Sequence, residues 1–290
     1  MSRGHWDDPR SDQDTTRDRS EVPLTQDARQ PDGPPRDTRQ PVRGRAGRTF
    51  SLRESEWRTL ETAGTFRVVA ETDLIRDAGD ARIARGDLRH LVESGLASRK
   101  TAIVNHEPTR LVVLTREGKA LLDANRERRG RSADRSYYAG FVKPRELAHD
   151  VQIYRAYRIE RARIEADGSR VTRVALDYEL KREYQVFLNR RDRPAESSLE
   201  ADRQAFAEVH RLPVVDGHLE IPDLRLDIER PDGTHEVRDI EVVTAHYSRS
   251  QIAGKVKAGF ALYRPAHVSH EGGPTQGGTP FDPHYLEWVR

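Results

Sequence analysis

The chain has 290 residues, 34% of them charged and 35% hydrophobic, enough for one large or two modest domains but thin in apolar residues. With 50 Lys and Arg against 48 Asp and Glu the net charge is only +2, so any nucleic-acid surface must be a local patch. The sequence has no cysteine, which excludes disulfide scaffolds and thiolate metal sites, and no apolar run of membrane-spanning length, so a soluble, cytoplasmic protein is expected.

Residues 1–48 hold six of the 16 prolines, mix both charge signs and show no apolar periodicity, which predicts a disordered charged arm. Its end, RGRAGR, reads as a solvated linker or as a basic strip along a phosphate backbone. From Thr49 the texture changes. Ser51 and Glu54 fit a capping box for a helix with Trp57 and Leu60 on its apolar stripe, ended by Gly64. A second helical segment spans about Thr72 to Asp77. DARIARGDLRHLVESGL predicts a third helix, with Ile83, Leu88, Leu91 and Val92 inward and Gly95 as its stop. ASRKTAIVNHEPTRLVVLT reads as two strands around a His-Glu-Pro turn, and Thr115 caps a closing helix.

DLRHLVESGLASRK followed by LVVLTREGKALL resembles the winged helix-turn-helix family, and residues 49–130 are expected to form that domain. Such a fold docks its third helix in the DNA major groove and rests the wing on the backbone. Arg82, Arg85 and Arg89 would share one helix face, with His90 beside them and with Arg99 and Lys100 opening the wing. These six are the DNA-binding candidates. The same arginines would also suit the solvated side of an amphipathic helix, and winged helices also dock proteins.

A linker is expected over 131–142 and a second domain over 143–266. Its first element is a long amphipathic helix, KPRELAHDVQIYRAYRIERARIEADG, with Leu147, Val151, Tyr154, Tyr157 and Ile164 on its apolar side. RVTRVALDYELK alternates as a strand, with Val174, Leu176, Tyr178 and Leu180 opposite Asp177, Glu179 and Lys181. A polar insertion with helical stretches occupies about 182–212. IPDLRLDIERPDGTHEVRDIEVVT predicts two strands around a Pro-Asp-Gly turn, and RSQIAGKVKAGFALY a further helix. Residues 267–290 form a Gly/Pro-rich tail.

Asp223 and Glu241 fall on the two neighbouring strands and are candidate metal-holding carboxylates of a nuclease site. Alternation puts Asp239, Glu241 and Val243 on one face. A lysine two residues after the glutamate would help orient or deprotonate water, but that position is Val243. Lys255 or Lys257 from the following helix could reach back. The Glu179-x-Lys181 pair of DYELK is another source, or else an exposed charge pair. His149 and Asp150 on the long helix could supplement the site, although a helical histidine is more often a hydrogen-bond donor at the edge of a core. The histidines of the tail have no zinc-ligand spacing, and there is no glycine-rich phosphate loop.

Helix, strand, strand, strand, helix is the αβββα order of the restriction-endonuclease-like fold, whose fourth strand would have to be the short ALYRPAHV. Joined to a winged helix, it resembles the replication-relaxation family of plasmids and integrative/conjugative elements. DLRHLVESGL, LAHD, the IPD triplet ending at Asp223, IEVVT with Glu241, and the helix with Lys255, Lys257 and Tyr263 carry that resemblance, across roughly residues 50–264. It implies an α+β chain: an N-terminal winged helix-turn-helix plus a C-terminal restriction-endonuclease-like domain. The leading expectation is a non-enzymatic DNA-binding protein acting in replication, mobilisation or its regulation, with a degenerate nuclease-like domain and no cofactor. The alternative is a nickase or endonuclease using Mg²⁺ or Mn²⁺ on Asp223 and Glu241, with Lys255 or Lys257. A second alternative is an adaptor that binds a relaxase or replication initiator through the winged helix. Double-stranded DNA is the expected partner, a membrane is not, and pairing on a palindromic site would make a homodimer.

Overall fold

The computed structural model describes residues 38–126, 136–190, 198–244 and 247–264. Most of the expected arm, part of the linker, seven residues of the insertion and the C-terminal tail lie outside the described residues. The chain is a mixed α+β structure. No helix among the described residues is long and apolar enough to cross a membrane.

The first element lies inside the expected arm. β1 (Gln40–Arg43) pairs antiparallel with β2 (Thr49–Leu52) around a short 3-10 turn, so RGRAGR closes a hairpin and is not a free strip. α1 (Glu54–Thr65) follows. Its start is fixed by Glu56, whose carboxylate accepts from the Arg53 backbone N–H at 2.8 Å, and not by Ser51 and Glu54. Gly64 does not end this helix. It sits in the last turn, where a Cβ would come within 2.9 Å of both Leu114 and Tyr137. β3 (Val69–Ala70) and α2 (Glu71–Asp77) lead to α3 (Ala81–Glu93). The Asp80 carboxylate caps α3 by accepting from the N–H groups of Arg82 and Ile83, and Gly95 at φ 72° turns the chain out. Ile83, expected inward, is 42% exposed, because the buried face of α3 is centred on Ala84, Asp87, Leu88 and Leu91 and the helical spacing leaves Ile83 at its edge.

β4 (Ala97–Val104) and β5 (Glu107–Leu114) form the next hairpin. Its turn is Asn105-His106, both at positive φ, as a two-residue connection matching strand twist requires. Glu107 and Pro108, expected in that turn, belong to the strand. β3 adds to β5, giving the order β3-β5-β4. α4 (Arg116–Asn125) closes this lobe, capped by the Thr115 hydroxyl, which accepts from Gly118 N at 3.0 Å. A Cβ at Gly118 would lie 2.1 Å from the Leu96 carbonyl oxygen, so α4 can meet the hairpin only through a glycine.

The second lobe opens with α5 (Pro144–Ala166), with Pro at its first turn, and β6 (Arg170–Leu176). DYELK is not a continuation of that strand. α6 (Asp177–Leu188) begins there, and Glu179 secures its first turn by accepting from Leu176 N. Glu179 and Lys181 therefore share no strand face, and Lys181 pairs along the helix with Asp177 at 2.6 Å. α7 (Leu199–His210) lies in the expected insertion, and a short hairpin, β7 (Val214–Val215) and β8 (His218–Leu219), follows it. Phe206 of α7 is the apolar centre of this segment, packed with Leu180 and Leu212.

β9 (Leu224–Glu229), β10 (His235–Val242), α8 (Arg249–Lys257) and β11 (Ala261–Tyr263) finish the lobe. The sheet order is β11-β10-β9-β6, with β11 parallel to β10 and the other pairs antiparallel. One face, carrying Val174, Leu224, Leu226, Ile240 and Val242, buries against α5. The other carries Arg225 and Asp239, joined by two hydrogen bonds of 2.7 Å.

The two lobes are not separate bodies on a linker. One core runs from Leu52 and Leu60 through Phe66 and Tyr154 to Leu226 and Tyr263. The ring of Phe66 lies 4.9 Å from Tyr154 and 4.7 Å from Tyr157. Val104, Leu111 and Val113 of the β4–β5 hairpin pack on Val142, Leu147 and Val151. Arg155 reaches Asp73 at 2.8 Å, and Arg67 reaches Asp150 at 3.0 Å. α5 thus belongs to both lobes, which holds α3 in a fixed relation to the sheet.

Candidate functional site

At the end of the sheet where β9 begins and β10 ends, four segments bring charged side chains together. Asp223 precedes β9, and Glu241 lies in the last turn of pairing on β10. Their backbones lock them reciprocally: Asp223 N donates to Glu241 Oε2 at 3.2 Å, and Val242 N donates to Asp223 Oδ2 at 2.9 Å. Both are buried, at 8% and 2% exposure. α8 supplies Lys255, whose Nζ is 3.2 Å from Glu241 Oε1, 3.1 Å from Glu220 Oε2 and 3.0 Å from the Ile221 carbonyl oxygen. α5 supplies His149, with Nε2 at 3.1 Å from Asp223 Oδ1. The Tyr247 hydroxyl donates to Glu241 Oε1 at 2.7 Å.

Val243 explains why the lysine comes from a helix. Its side chain shares a face with Glu241 but is buried against Ile252, Phe260 and Leu262. That apolar contact seats α8 on the sheet, and Lys255, one turn after Ile252, then projects back to the carboxylate. Lys257 does not join the cluster; it points outward to Asp216 at 3.0 Å, where both are exposed.

Electrostatics follow from burial. Removal from water, and then the charge of Asp223, push Glu241 well above the ordinary carboxylate range. Burial disfavours the Lys255 cation, but Glu241 and Glu220 outweigh it and raise its pKa, so the side chain is an ammonium with its three donors engaged. It is a fixed cation, not a base. Burial likewise opposes a charged His149, and the hydrogen bond and charge of Asp223 overcome it, raising the imidazole. Asp150, the neighbour of His149, turns instead to Arg67, and burial lifts its carboxyl to about 7.

Two adjacent buried carboxylates, with Glu241 raised by burial and by the charge of Asp223, form a place for an added cation. A hard divalent ion held by one or two carboxylates, its remaining positions left to water and phosphate, suits Asp223 and Glu241. Among the described residues no group of three or more His, Asp or Glu side chains is arranged to hold a metal, so an all-protein cage does not fit.

The six candidates of the first lobe divide. Arg82, Arg85 and Arg89 are exposed on α3 and form no side-chain ion pair or hydrogen bond among the described residues. His90 is turned inward, its Nδ1 2.8 Å from the buried Glu56, so it is a fastening between α3 and α1 and not a base reader. Arg99 lies 3.6 Å from Glu71, and Lys100 sits over the Phe141 ring at 5.6 Å. Glu220 and Tyr247 were not expected at the sheet end. Glu220 precedes IPD by a single residue, but nothing in its spacing signals that it would share Lys255 with Glu241.

No family model matches the chain, and neither a curated protein nor a solved structure does.

Proposed function

We propose that the protein binds double-stranded DNA through the arginine face of α3 and hydrolyses phosphodiester bonds, as a nickase or endonuclease, at the Asp223–Glu241–Lys255 cluster. The observation that carries the catalytic part is Lys255: an ammonium 3.2 Å from Glu241 stands in for the lysine missing at Val243. This favours the enzymatic alternative over a degenerate site. The arginine face supports the DNA part, since unpaired exposed guanidinium groups on one helix face are free to meet phosphates and guanine edges. The winged-helix and restriction-endonuclease-like readings, and a role in the replication or mobilisation of a mobile element, belong to the same proposal and rest on the sequence resemblance.

Asp223 and Glu241 would hold Mg²⁺ or Mn²⁺, which when bound supplies Lewis-acid polarisation of the phosphate and a lowered pKa for water. Lys255 places a fixed positive charge beside the carboxylates, where negative charge grows on the phosphate in the transition state. His149, 3.1 Å from Asp223 Oδ1, would hold that carboxylate in position. The Tyr247 phenol, kept protonated by burial and by the nearby carboxylates, fixes the Glu241 rotamer.

The deciding experiment incubates supercoiled plasmid with Mn²⁺ and wild-type, Asp223→Asn or Lys255→Met protein, each checked for folding by circular dichroism. Nicked circles from wild type alone are expected. DNA binding by wild type without any cleavage would overturn the catalytic part and return the cluster to a structural role.

A further inference from the structure

Between α4 and the second lobe lies a cavity of about 870 Å³, distinct from the Asp223 cluster. Its α4 wall carries Lys119 and Arg126, which share one acid, Asp123, at 3.0 and 2.5 Å. Its opposite wall carries Arg173 of β6 and Arg182 of α6. Arg173 is held loosely, 4.0 Å from Glu183 and 3.9 Å from Asp227. Arg182 is exposed and has no hydrogen bond or ion pair among the described residues. Four permanent cations thus face two lining carboxylates. Tyr138 and Tyr178 supply aromatic surface, Tyr137 lines the cavity from the core, and His210 lines it beside Glu183. Burial, together with Arg225 and Arg173, holds that imidazole below its usual range despite Glu183, so it offers hydrogen bonds without charge at neutral pH.

We propose that this cavity binds a phosphorylated nucleoside, with Arg173 and Arg182 on the phosphate and the tyrosine cluster against the base. A cation is repelled by such a lining, and an apolar ligand would leave its guanidinium groups without partners. Inorganic phosphate would satisfy the arginines but leave most of the volume and the aromatic wall unused, since a cavity of this size suits a drug-sized ligand. Arginine with aromatic faces is the combination that takes a nucleotide's two chemistries at once. The nucleoside phosphate has two sources, a free nucleotide or one residue of a single DNA strand, and the chemistry is common to both. The proposal does not rest on the activity assigned to Asp223.

The test is calorimetric titration of the full chain, in EDTA so that no cleavage intervenes, with inorganic phosphate, dAMP and a short oligothymidylate as separate probes. An Arg85→Ala, Arg89→Ala background removes binding through α3. At least one nucleoside phosphate should bind about tenfold or more tighter than inorganic phosphate. Arg182→Glu should weaken it by about tenfold or more; because it sets a third acid beside Glu179 and Glu183, the melting temperature is recorded alongside to show that the variant is folded. Tyr178→Leu should erase the preference over inorganic phosphate while the arginines remain. Comparable affinity for dAMP and the oligonucleotide identifies a free nucleotide as the ligand; binding of the oligonucleotide alone identifies a strand. Binding of neither, equal binding of inorganic phosphate, or indifference to Arg182→Glu overturns the proposal.

Discussion

Arg82, Arg85 and Arg89 stand in water without an ion pair among the described residues, whereas Asp223, Glu241 and Lys255 are buried and each is engaged by a neighbour. The exposed arginines keep their hydration, so the fold spends almost nothing to display them and gains almost nothing from them. The buried cluster is different. Its charges have left water and are tolerable only because four chain segments bring partners to one point. A change on α3 should therefore alter what the protein binds and leave its stability alone, while a change at the sheet end should alter both.

The largest effect expected is at Lys255. Lys255→Ala leaves Glu241 buried beside Asp223 with its cation gone, and should cost about 3–5 kcal/mol in chemical denaturation. Lys257→Ala, two residues on, removes only an exposed pair and should stay within about 0.5 kcal/mol of wild type. Equal losses would erase the contrast between buried and displayed charge. Asp150 sharpens the same contrast through pH. Burial lifts its carboxyl from 3.8 to about 7, so the folded chain keeps a proton that the unfolded chain has lost. Below pH ~4 both states are protonated and there is no penalty; the penalty grows as pH rises towards 7 and is complete above that. Asp150→Asn should therefore gain stability relative to wild type between pH ~4 and ~7, by about 1.4 kcal/mol per pH unit at most. A difference that stays flat over that window would mean that Asp150 is ionised throughout.

The first lobe was readable because its signals are local. The Thr115 cap, the Gly95 stop and the alternation of β4 and β5 each depend on neighbours within a few residues. Two errors, one in each lobe, have local causes too. Ile83 counts as apolar in any periodicity, but it falls at the edge of the face that Ala84, Asp87, Leu88 and Leu91 bury. DYELK alternates well enough for a strand, yet Glu179 can reach back to Leu176 N, and a capped helix start wins over alternation. The sheet end was legible only as a pair of carboxylates with a gap. Lys255 could be named as a candidate but not told apart from Lys257, because that choice depends on how Ile252 seats α8 against Val243. Glu220 and Tyr247 reach Lys255 and Glu241 only through tertiary packing, which no spacing encodes. The shared core was hidden for the same reason: Phe66 and Tyr154 meet across 88 positions of sequence.

On the open side of the comparison, Arg85→Ala with Arg89→Ala should weaken duplex DNA binding by about tenfold or more and reduce the salt dependence of affinity by about one phosphate contact per arginine. Thermal stability should not move. Unaltered binding would detach α3 from DNA.

Gly86 gives the smallest and most discriminating effect. It lies on α3 among Arg82, Arg85 and Arg89, is exposed, and a Cβ there would meet nothing within 4 Å. Glycine inside a helix costs about 0.5–1 kcal/mol relative to alanine, so Gly86→Ala should stabilise the protein by that amount, the opposite of what a Cβ against Leu96 at Gly118 would do. A residue that weakens its own helix without any steric need inside the fold points to a need outside it. If α3 lies in the major groove with this face inward, the bare backbone at Gly86 lets the helix approach the base edges between its arginines. Gly86→Ala should then raise the melting temperature and lower DNA affinity several-fold in the same preparation. A rise in stability with unchanged affinity would leave the arginines as a solvated helix face and move the search for the DNA contact elsewhere on the lobe.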